Sequence, residues 1–134
     1  MKLPEYITIE EVKKVWKAIG LTDWSVKTDP SVSGGEAATI LDIVNTKQMP
    51  IPLEAFRKGL EVELESGTRF EDANVTNNPP ILTGKIVFAH LKETMDYYER
   101  IDVAEMAGDL LKAVLSRDIE KIESKKNSGV IHSR

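Results

Sequence analysis

TGKIVFAHLKETMDYYER, residues 83–100, is the stretch on which the fold turns. Together with Ile81 and Leu82, its residues Ile86, Val87, Phe88, Ala89 and Leu91 point nearly all round a helix. A helix apolar on most faces belongs at the centre of a bundle. Pro80 suits a first helical position, so the spacing predicts a helix from Pro80 through about Glu93. At about 100° per residue Lys85 and Lys92 lie about 20° apart and mark its solvent side. His90 points roughly 150° away from that side, with Ile86 and Glu93 flanking it on the inward half. The segment that follows, TMDYYERID, either continues this helix or restarts it after a kink with Asp96 as the cap.

Outward toward the C-terminus, Asp102 with Glu105 makes a capping box for a long last helix. Val103, Met106, Leu110, Val114, Ile119 and Ile122 mark one face of it. Residues 127–134 read as a polar tail, leaving residues 1–126 as one helical domain.

Outward toward the N-terminus, the polar loop TRFEDANVTNNPP precedes Pro80. Before it, a helix should run from Pro52 to about Ser66, with Pro52 opening it and Gly67 just past its end. Leu53, Phe56, Leu60 and Leu64 form its buried stripe, while Glu54, Lys58, Glu61 and Glu65 face water. Glu63 lies about 60° from the stripe centre, at the core boundary. KQMPIP separates this helix from a shorter one in GEAATILDIVNT, capped by Ser33 with Glu36 in its first turn. The first helix lies in YITIEEVKKVWKAIGL, with Thr8 as cap, Glu11 three residues on, and Gly20 as stop. TDWSVKTDPSVSGG is a loop that Trp24 and Val26 pin to the body. Strand signals are nearly absent. The expectation is an all-α bundle of five or six helices.

The totals narrow the function classes. The 134 residues carry a net charge of −4 with both signs mixed, which disfavours nucleic acid and anionic membrane as partners. No cysteine is present, which removes disulfides, thiol catalysis and Cys-ligated zinc. No apolar run approaches a membrane span or a signal peptide, and the whole suits the cytoplasm. A small-molecule ligand or a homo-oligomer is compatible with all of this.

The polar residues aimed inward carry the functional question. His90 and Glu93 sit on adjacent turns, Glu63 lies on a neighbouring helix, and Tyr97 falls on the same side if the helix continues. A buried ionised group is costly unless paired or bound to metal. One reading is a satisfied polar network that only fixes packing. Another is a metal site with Glu63, His90 and Glu93 as ligands and Tyr97 behind them, suited to zinc, iron or manganese. A triad of Ser66, His90 and a glutamate lacks both a nucleophile elbow and an oxyanion donor. SVSGGE lacks the lysine of a phosphate loop. Asp72, Asn74, Asn77 and Asn78 lack the acidic spacing of a calcium loop.

Taken together, FRKGLEVELESG, NVTNNPPILTGKIVFAHLKE and DYYERI resemble a family of small, uncharacterised prokaryotic helical proteins. That family shows motifs of the form GLEVELEHG, NVTND-P-TGKIALAHL-E and DYY, and the resemblance covers about residues 53–101. It implies a histidine at the position of Ser66, which would complete a Glu-x-x-His pair starting at Glu63 and answer His90-x-x-Glu93. This chain departs there, and also at Asn78-Pro79 and with the bulky Phe88.

Three functions follow as expectations. The leading one is a degenerate metal site between two helices, held by Glu63, His90 and Glu93. The second is a non-catalytic helical interaction module, favoured by a large exposed apolar patch and no pocket near His90. The third is an engineered helical catalyst with His90 as general base, oriented by Glu93 or Glu63.

Overall fold

The computed structural model describes residues 6–26, 29–69 and 77–127. Among them it has five α-helices and a short 3-10 turn, with no strand. The helices are α1 (Ile9–Ile19), α2 (Gly34–Val44), α3 (Leu53–Arg69), α4 (Pro80–Glu93) and α5 (Tyr97–Asn127), and the turn is Trp24–Val26. The all-α fold is therefore the one the hydrophobic spacing indicates. The chain divides into two compact units, Met1–Tyr98 and Glu99–Arg134. Among the described residues no helix is long and apolar enough to cross a membrane.

The helix ends in the first unit follow local chemistry. The Thr8 hydroxyl accepts the Glu11 N–H at 3.3 Å. Gly20 closes α1 in the left-handed conformation, φ 72°, which glycine adopts without steric penalty. Ser33 and Glu36 form a reciprocal capping box at α2. Asn45 closes the following loop through its side chain, bonding both the N–H and the C=O of Met49 at 2.9 Å. Pro80 opens α4 as expected. α3, however, runs through Gly67 to Arg69. A glycine inside a helix costs only about 1 kcal/mol and does not by itself end one.

The core of the first unit is built where α2, α3 and α4 pack pairwise, with α1 against α4 and the 3-10 turn. Ile40, Phe56, Leu60 and Val87 are fully buried in it. Leu53, expected in the buried stripe of α3, is exposed instead, because it sits at the first helical residue beyond the end of the core. Glu61, expected in water, is half-buried: it accepts the Val32 N–H at 2.9 Å and pairs with Arg57 at 2.8 Å. α3 thus holds the 30–32 segment through a carboxylate rather than an apolar side chain.

α4 is not apolar-buried all round. Its buried face is Pro80, Thr83, Gly84, Val87 and Leu91, while Leu82 and Ile86 are exposed. Two glycines allow the close approach of helices here. A Cβ on Gly84 would stand 2.5 Å from Ile40 Cγ2 and 3.3 Å from Val44 Cγ1. A Cβ on Gly59 would collide with Val87 Cγ1 and stand 2.6 Å from Tyr98 Cε2.

The loop after α1 contributes to the core. Trp24 is fully buried, its ring 4.5 Å from that of Trp16, and its Nε1–H donates to Glu36 Oε2 at 2.8 Å. The Val26 side chain lies outside the described residues. Asn77 and Asn78, considered above as cation ligands, take left-handed φ of 56° and 55° and act as staples. Their amides donate to the carbonyls of Ile7 at 2.8 Å and Trp24 at 3.2 Å. Asp72 and Asn74 lie outside the described residues.

In the second unit α5 is one continuous helix, so Asp102 lies inside it rather than at a helix start. The face marked by Val103, Met106 and Leu110 is exposed, at 66%, 70% and 66%. The tail beyond residue 127 lies outside the described residues.

Candidate functional site

The polar cluster forms where α3, α4 and the start of α5 meet within the first unit. α4 ends at Glu93, and Thr94 takes an extended conformation, φ −152° and ψ 130°. The Thr94 hydroxyl bonds Asp96 Oδ1, and its carbonyl accepts the Tyr97 N–H at 3.1 Å. The helix therefore restarts after a break, and the break resets the register of the tyrosines. Tyr98, not only Tyr97, is turned back toward His90.

Tyr98 is the hub. It is 2% exposed, and its hydroxyl donates to Glu63 Oε1 at 2.9 Å. His90 Nδ1 lies 3.1 Å from the same hydroxyl and 3.3 Å from Glu63 Oε1. A phenol has one hydrogen, and here it goes to the carboxylate, so the hydroxyl offers His90 Nδ1 its lone pairs. The His90 ring stacks on Tyr97 at 4.1 Å and 14°. Tyr97 meets Tyr98 edge-on at 5.0 Å. The imidazole is thus held by one hydrogen-bonded edge and one stacked face.

Burial pushes the Tyr98 phenol well above its ordinary range, and the neighbouring Glu63 carboxylate adds to the shift. Unfolding releases the phenol to ionise near pH 10. Its contribution to stability is therefore whole below about pH 10 and is lost as pH rises beyond that. Tyr98→Phe should lower stability by about 1 kcal/mol at neutral pH, the usual worth of such a bond. The same variant should show a shallower alkaline decline. Urea unfolding at neutral pH and near pH 11 checks both. Equal slopes in the two chains would mean that the phenol ionises freely in the fold.

The three expected metal ligands do not come together. Glu63 and His90 meet, but their side chains are 27% and 29% exposed, so the pair lies at the rim of the core rather than inside it. Glu93 is exposed on the far side of α4 and, among the described residues, makes no hydrogen bond or ion pair. Among the described residues no three His, Cys, Asp or Glu side chains could hold a metal ion. Glu63, His90 and Glu93 therefore do not form the expected site for zinc, iron or manganese. The error is directional. Lys85 and Lys92 place the inward side of α4 opposite themselves, whereas the packed side is set by Pro80, Gly84, Val87 and Leu91. That turns Glu93 into water and leaves His90 at the boundary. Lys92 in turn lies 5.6 Å from the Phe88 ring centroid.

The Ser66 side chain lies outside the described residues. Clefts lined by Asp42, Asn45 and Met49, and by Asp29, Lys58 and Glu65, include none of Glu63, His90 and Glu93. The residue the sequence reading missed is Tyr98. Its signal is the join at TMDYYER, where a break moves the second tyrosine, not the first, into hydrogen-bonding reach of Glu63.

No curated protein and no solved structure matches the chain significantly. A family model described as "Protein of unknown function (DUF5661)" matches residues 12–107, most of the chain, and takes in α2, α3, α4 and the Glu63–Tyr98–His90 cluster. The chain belongs to that family.

Proposed function

We infer that the protein is a non-catalytic helical interaction module, in which α1–α4 form the folded body and the apolar face of α5 is a docking surface. One observation carries this reading. α5 is 31 residues long, and its large apolar side chains from Val103 to Ile119 are exposed, Met106 at 70% and Ile119 at 57%. The described part of the second unit is a single helix, so it offers nothing of its own to cover that face. An apolar row this long and contiguous marks an interaction surface far more often than a solvated one. The Glu63–Tyr98–His90 network fits the same reading as a latch on the restart of the helix. It ties Tyr98, at the start of α5, to Glu63 of α3 and His90 of α4 within the first unit.

Leu110→Glu tests the reading through stability. On a docking face the substitution should leave the unfolding free energy within about 0.5 kcal/mol at sub-micromolar protein, as for other surface changes. If Leu110 belonged to the core of its own chain, burying a carboxylate there would cost several kcal/mol, and the reading would fall.

A further inference from the structure

We draw no further inference here: the strongest candidate, the exposed apolar face of α5 from Val103 to Ile119, already carries the proposed function, and nothing in the structure shows what covers it.

Discussion

Gly59→Ala should lower the unfolding free energy by about 2 kcal/mol, even though alanine is the better helix former by about 1 kcal/mol. The new methyl would collide with Val87 Cγ1 and press on the Tyr98 ring. Val87 is fully buried and Tyr98 is 2% exposed, with its hydroxyl tied to Glu63, so neither side chain can swing clear. The fold must separate α3 from α4 or give up the Tyr98 hydrogen bonds. Gly108→Ala is the internal control. Nothing lies within 4 Å of a Cβ there, so the same substitution in α5 should be neutral or stabilising. Urea unfolding of the two variants should move the midpoint in opposite directions. A Gly59→Ala midpoint at or above the parent value would mean that α3 and α4 do not approach this closely.

Gly59 and Gly84, where helices approach most closely, show why only part of the fold is legible in the sequence. Helix starts could be read because the capping chemistry is local: Thr8, Ser33 and Pro80 each act within a turn of their own position. Helix faces are harder, because side-chain bulk is an incomplete sign of burial. On α4 that rule points at Leu82 and Ile86, both exposed, and passes over Gly84, around which Ile40 and Val44 close. Packing selects small residues where helices approach most tightly, and a periodicity argument weighted by apolar size cannot see them. The error of direction then carried into the site. Glu63 at the core boundary and its meeting with His90 were within reach of helical geometry. Tyr98 is not, since its position depends on the three-residue break at 94–96, where Thr94 turns extended. The long apolar face of α5 was legible as a face, but periodicity says only that a face wants covering, not which surface covers it.

Trp24→Ala should be among the most damaging single changes outside the helices, costing about 3–5 kcal/mol, the range for removing a buried large aromatic. A loop residue is ordinarily a poor candidate for that. Here the short 3-10 turn drives the indole against Trp16, and two elements hold the ring: α1 through the ring contact and α2 through Glu36, while Asn78 holds the Trp24 carbonyl. Trp24→Phe divides the effect. It keeps most of the ring and deletes the Nε1–H, so it should cost less, near the 1 kcal/mol worth of the lost hydrogen bond plus a small cavity. Glu36 does not become an orphaned buried charge in that variant. It still accepts the Ser33 N–H at 3.1 Å and remains half-exposed, so water can take the place of the indole. If instead both variants cost the same, the bond to Glu36 rather than the ring would be what holds the loop. If Trp24→Ala cost less than about 1 kcal/mol, the loop after α1 would be a peripheral cover. The core would then rest on α2, α3 and α4 alone.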